Sequence, residues 1–141
     1  RRRMTDCIFC RIAAGDAPAA TVAETETTVA FLDANPLARG HTLVIPKTHA
    51  ERLSDLDRAT ARALMDELRR LAPAVEQAVD ADATTIGFNN GRAAGQEVPH
   101  VHGHVVPRSH GDGGGPLHAV LPGGGSDDNP EATTSAIAAE L

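Results

Sequence analysis

Tryptophan and tyrosine are absent from this 141-residue sequence and phenylalanine occurs three times, so it offers no platform of aromatic faces on which nucleic-acid bases could stack. The core must be built from Ala, Val, Leu and Ile instead. Positive charge is also scarce: 13 Lys and Arg stand against 19 Asp and Glu, for a formal charge of −6. Three of the basic residues, Arg1 to Arg3, precede Met4, which reads as the natural start. This balance excludes a surface that tracks a nucleic acid polymer. An anionic ligand has to be held locally, by neutral donors and a few charges. No apolar run reaches the ~20 residues of a membrane span, and Cys7 to Cys10 is too short and too early for the core of a signal peptide. A cytoplasmic protein with no membrane partner is expected. Cysteine occurs twice, and in a reducing compartment two cysteines serve better as metal ligands or free thiols than as a structural disulfide.

By length the chain is one domain, large enough for a core without disulfide staples. Thr5 or Asp6 can cap a short helix from Cys7 to Ala13, which Gly15, Asp16 and Pro18 end. Ala20 to Glu24, Thr27 to Leu32 and the β-branched run His41 to Lys47 read as three strands of an antiparallel sheet. A helix with Ser54 at its cap follows, since Leu56, Ala59, Ala63, Leu64, Leu68, Leu71, Val75 and Val79 recur at 3.6-residue spacing. Pro73 lies inside that pattern and predicts a kink or break near Leu71. Thr84 to Asn90 and His100 to Val106 are two further strands, the second closed at its ends by Pro99 and Pro107. Beyond Arg108 the composition turns glycine-rich, which assigns residues 4–108 to the folded domain. Residues 109–141 form a flexible segment that ends in a helix, Glu131 to Leu141, opened by Pro130.

Within the last of these strands, "HVHGHVV" puts His100, His102 and His104 at every second position, so all three imidazoles leave one face. Two chemistries fit this spacing equally well. His-x-His on a strand presents two rings to one zinc, with a third His completing a hydrolytic centre. Three neutral imidazoles also supply a nucleophile and proton carriers without a metal.

The flanking residues favour the second. "NNGRAAGQEVPHVHGHVVPR" and "AFLDANPLARGHTLVIPKTH" together resemble the histidine triad superfamily of nucleotide hydrolases and transferases, over roughly residues 5 to 108. The resemblance implies an α+β fold: a five-stranded, mainly antiparallel sheet with a long helix on one face, paired in a two-fold homodimer. Residues 4–108 would then be the nucleotide-binding catalytic domain. It also implies an enzyme that attacks the α-phosphate of a purine nucleoside 5'-phosphoramidate or a dinucleoside polyphosphate and releases the nucleoside monophosphate. His102 matches the nucleophile, held transiently as a covalent nucleotidyl-imidazole, and His104 the ring that hydrogen-bonds phosphate or leaving-group oxygen. His100 matches the ring that buttresses the strand, and His41 a fourth histidine behind the triad. Asp33 matches the carboxylate that grips the ribose hydroxyls, while Asn89 and Gln96 match amides on the phosphate. No catalytic metal is expected.

Bacterial members that begin with a similar "CIFC" segment bind a structural zinc. By that resemblance Cys7, Cys10, His49 and His100 would hold one Zn²⁺ off the reaction path, and its removal would cost stability but not initial rate. Two residues depart from the family's pattern. Gly103 stands where an apolar side chain is expected, which predicts lost packing and a looser strand. Glu97 stands where the phosphoramidase branch carries a small hydroxyl. Two other readings compete: a nucleotide-binding regulatory module with little turnover, and a metal-dependent hydrolase that uses the histidines as ligands.

Overall fold

Polar breaks cut the first half of the chain into short strands, and the computed structural model, which describes residues 6–141, places them in one sheet. Its strands are β1 (Thr21–Glu24), β2 (Thr28–Leu32), β3 (Thr42–Pro46), β4 (Ala83–Phe88) and β5 (Gly103–Arg108), in the order β1-β2-β3-β5-β4. Every pairing is antiparallel. The expected five-stranded α+β architecture is therefore present. Because side chains alternate across a sheet, Phe31, Leu43, His104 and Gly87 share one row and face, while Ala30, Val44, Gly103 and Phe88 share the next row and the opposite face.

A helix covers each face. The long helix α2 (Arg58–Val79) buries Leu64, Leu68, Leu71 and Val75 against Ala30, Val44 and Val105. The short helix α1 (Ile8–Ala13) buries Phe9 on the other face, among Val29, Phe31, Leu43 and Ile45. This second face carries the histidines.

The caps differ from expectation. Thr5 lies outside the described residues, and α1 is capped by Cys7, whose sulfur accepts the Cys10 N–H at 3.4 Å. Ser54 belongs to a single 3-10 turn, and Asp57 caps α2 by accepting the Thr60 N–H at 2.7 Å. The helix also runs unbroken through Pro73. That residue and Arg69, whose carbonyl loses its partner, are both exposed, so water can take the place of the missing bond.

The histidine segment is a strand only in part. β5 begins at Gly103, so His100 and His102 precede the ladder, and Pro107 continues it to Arg108. Pro107 is tolerated for a geometric reason. Arg108 accepts the Asp82 N–H on the β4 side, so Pro107, one residue back, directs its missing donor toward β3. There the pairing has already ended at Thr42–Val105. Arg108 then anchors the following loop by pairing with Asp112 at 2.7 Å and 3.0 Å. A last helix, α3 (Pro130–Ala139), is capped by Asn129 and buries none of its residues.

Gly103 leaves no void. A β-carbon there would lie 2.9 Å from Phe88 Cζ and 3.2 Å from Leu68 Cδ1, so ring and leucine already occupy the space that the family's apolar residue would fill. The strand is packed by its neighbours rather than loosened. Gly103→Val should consequently destabilise the fold by about 1–3 kcal/mol through overpacking, read as a lower urea midpoint. An unchanged midpoint would show that Phe88 can swing aside without cost.

Candidate active site

The last residue of β2 hands the chain to Asp33, and β3 begins one residue after His41, so two neighbouring strand ends deliver a carboxylate and an imidazole to the same place. The Asp33 N–H donates to the His41 carbonyl at 2.9 Å, which fixes their relative position. Hydrogen-bond partners then settle which ring nitrogen carries each proton. The Leu37 N–H donates to His41 Nδ1 at 3.1 Å, so Nδ1 is an acceptor and the proton of neutral His41 sits on Nε2. His41 Nε2 lies 2.9 Å from His104 Nδ1 and 3.5 Å from Asp33 Oδ2. His104 Nδ1 therefore accepts, and its own proton is on Nε2. That Nε2 is buried and has no partner among the described residues.

His102 is oriented by a different device. Its Nδ1 is 2.8 Å from the His100 carbonyl, and a carbonyl can only accept, so Nδ1 carries the proton and Nε2 keeps a free lone pair. The His102 and His104 rings are 5.1 Å apart, centroid to centroid. One ring offers a nucleophilic lone pair beside another that offers an unused N–H.

Burial holds His104 down at about 4, with His102 and His41 pushing the same way and Asp33 opposing. His41 is lowered by burial against the pull of Asp33. Both rings are neutral at physiological pH, as the hydrogen bonds require. In the unfolded chain His104 takes its proton near pH 6.5. Between that value and about 4 the unfolded state binds more protons, so stability is full above pH 6.5 and falls as pH drops toward 4. Thermal melts from pH 7 to 4.5 should show this decline, and an NMR titration should put the His104 midpoint near 4. A midpoint at the ordinary histidine value would contradict the burial described here.

The two amides differ in availability. Asn89 is exposed at the end of β4. Gln96 is buried, accepts the Gly91 N–H at 2.7 Å and gives its two amide protons to the Glu51 and Val98 carbonyls at 2.7 Å and 3.0 Å. It has no donor left for a phosphate and ties the loop ahead of His100. Glu97 is exposed and, with Glu51, Arg92, Gln96 and Pro99, lines a cavity of about 320 Å³.

Two clusters of potential ligands occur among the described residues. In Asp33, His41 and His104, a metal on His41 Nε2 would force the proton onto Nδ1, against the Leu37 N–H, so this group is poorly disposed to a cation. The other cluster fits one well. His100 donates from Nε2 to the Pro46 carbonyl at 2.8 Å, which frees Nδ1. That Nδ1 lies 3.4 Å from Cys7 Sγ and 3.5 Å from Cys10 Sγ, and His49 Nδ1 lies 3.2 Å from Cys10 Sγ. Zinc bonds of about 2.3 Å to sulfur and 2.0–2.1 Å to nitrogen give S···N separations of roughly 3.6 Å in a tetrahedron. Burial pushes His100 down to about 4, which favours the neutral ring a metal needs. With Nε2 on the Pro46 carbonyl and Nδ1 turned toward the two thiols, His100 is not placed to meet a phosphate.

The structure thus gathers Asp33, His41, His102 and His104 at one place and Cys7, Cys10, His49 and His100 at another. Sequence reasoning passed over Phe9, whose ring centroid is 5.1 Å from His102 and 5.9 Å from His100, edge-on to both. Its position between the two cysteines was the available signal. It also passed over the Leu37 N–H, a backbone donor that no side-chain pattern reveals.

Comparison with known proteins is consistent across sequence and structure. Residues 14–111 match the HIT domain. The chain is 46% identical to an uncharacterised HIT-like protein of Methanocaldococcus jannaschii, over 76% of this chain and 82% of that one. It is 39% identical to an adenosine 5'-monophosphoramidase of Schizosaccharomyces pombe, over 72% and 74% of the two chains. Among solved structures it is similar to a HIT family protein of Bacillus subtilis, with a TM-score of 0.84, 36% identity and coverage of 96% and 97%. It is also similar to a zinc-bound histidine triad family protein of Mycobacterium smegmatis, with a TM-score of 0.74, 35% identity and coverage of 99% and 100%.

Proposed function

The chain belongs to the HIT domain family, and from that premise we propose that it is a nucleotide hydrolase acting at the α-phosphate of purine nucleoside 5'-phosphoramidates or dinucleoside polyphosphates. The observation that carries this reading is the complementary pair of nitrogens, the free lone pair on His102 Nε2 beside the unpartnered N–H on His104 Nε2. His102 Nε2 attacks phosphorus as the bond to the leaving group breaks. Its Nδ1 keeps its proton against the His100 carbonyl, so the intermediate is a cationic nucleotidyl-imidazolium, which water can open. His104 Nε2 donates to a phosphoryl oxygen in a buried setting where a preset donor is most effective. A phosphate leaving group departs as the anion, while an amine takes its proton from water. Asp33 grips the ribose through charge-assisted bonds, Asn89 offers its amide to the phosphate, and Gln96 acts by holding the loop.

The same proposal includes one Zn²⁺ on Cys7, Cys10, His49 and His100, supported by the sulfur–nitrogen distances and by the zinc-bound relative. The metal would supply a cross-link between α1 and the sheet. The proposal also includes a homodimer: β1 and β4 are edge strands with Val22 and Ile86 exposed, and a second copy can cover such edges. No helix among the described residues is long and apolar enough to cross a membrane.

Rapid quench with substrate labelled in the nucleotide tests the reaction. Label should be trapped on the protein and nucleoside monophosphate released, in both the presence and the absence of a chelator during a short assay at low temperature. Nucleotide binding without release would favour a regulatory module. Activity that requires added metal beyond the structural site would favour a metal-dependent hydrolase.

A further inference from the structure

We infer that Phe9, carried between the two cysteines of the metal cluster, is a positioning residue that sets the nucleophilic ring of His102, so that the cluster and the reaction are mechanically joined. This rests on the reading of His102 as nucleophile. Two contacts run from the cluster to that ring. The first is through His100, whose Nδ1 faces the thiols while its carbonyl accepts the His102 Nδ1–H at 2.8 Å. The second is through Phe9, whose ring meets His102 at 5.1 Å and 81° and His100 at 5.9 Å and 80°.

These two contacts restrict different motions. The carbonyl selects the tautomer but permits rocking of the ring about the hydrogen bond. Phe9 stands nearly perpendicular to the imidazole, and such a contact blocks that rocking. The alternative orientation, turned about the Cβ–Cγ bond, would put a C–H against the His100 carbonyl and take the Nε2 lone pair off its line. Phe9 is itself held from one side by Phe31, at 5.4 Å.

The apolar hold on α1 is small, and its cysteines add to it. The helix spans six residues, buries Phe9 and packs Ile12 and Ala13 only in part against the same cluster, and a helix so short does not persist on its own. Cys7 caps it, while Cys7 and Cys10 face His100 and His49 across the sheet end. Bonding both thiolates to one ion fastens α1, and fastening α1 seats Phe9. The cluster thus bears on the reaction path, in addition to the structural part that the family resemblance implies.

The test compares zinc-loaded wild type, zinc-loaded Phe9→Leu and wild type stripped by a chelator at low temperature. Long-range ¹H–¹⁵N spectra read the His102 tautomer directly, without turnover. Zinc-loaded wild type should show one Nδ1–H form of His102. Phe9→Leu and the stripped protein should show broadened or mixed signals. In steady-state assays kcat should fall about 3- to 10-fold for Phe9→Leu, the loss expected for one aromatic pair, with KM and zinc content unchanged. If Phe9→Leu does not fold, the stripped wild type decides by the same spectra. Identical His102 spectra with and without metal, or a change confined to KM, would overturn the inference. Failure of wild type to trap label, with the His102 spectra still responding to metal, would sink the hydrolase reading and leave the positioning intact.

Discussion

His102→Ala should lower turnover by roughly 10⁴-fold or more, the scale seen when a covalent nucleophile is removed, while nucleotide affinity stays within a few-fold of wild type. The size follows from the geometry. His104 has no lone pair free to replace the lost one: its Nδ1 accepts from His41 and its Nε2 carries the proton. His100 cannot substitute either, because Nε2 is bound to the Pro46 carbonyl and Nδ1 faces the thiols. The variant should fold, since the main-chain carbonyl of His100 loses only one neutral partner. Rapid quench should trap no label on it, and calorimetry should still register the nucleotide. A variant that retained wild-type kcat would place the nucleophile elsewhere.

Chelation of the cysteine–histidine cluster should lower the melting temperature by about 12 °C. A ligand present at a thousandfold over its dissociation constant stabilises the folded state by about 4 kcal/mol. For a chain of this size each kcal/mol corresponds to roughly 3 °C. The loss should be reversed by returning zinc, and elemental analysis before stripping should find about one zinc per chain. The measurement is differential scanning calorimetry with and without chelator, alongside thiol titration. Two freely reacting thiols and an unmoved transition would remove the metal from the proposal.

The sheet was legible because its strands are short β-branched runs between polar breaks, and α2 because its apolar residues keep a 3.6-residue period over 22 residues. Boundaries were less legible where a backbone bond outweighs a side-chain preference. Ser54 is a good cap by type, yet Asp57 holds the position because Leu53–Asp55 closes into its own turn first. Even spacing suggested three histidines on one face of one strand. The chain bends at His100 so that its ring meets the cysteines, and only His104 lies within the ladder. The resemblance matched Gln96 to an amide on the phosphate, but a motif cannot reveal that Glu51 and Val98 take both its protons. Gly103 was read as a missing side chain, and only the third dimension shows Phe88 and Leu68 in its place.

The Leu37 N–H, which sets the proton on His41 and through it the donor on His104, gives the site an unusual mutational profile. This control belongs to the path of the main chain, and nineteen of the twenty residues carry the same N–H. Leu37 is itself 79% exposed, so its side chain can drift without disturbing the relay. An alanine scan would pass over position 37 in silence, although one substitution there, to proline, would erase the donor and free His41 to reverse its tautomer. Residue 37 is therefore a place where chemistry is protected from drift without any side chain being fixed.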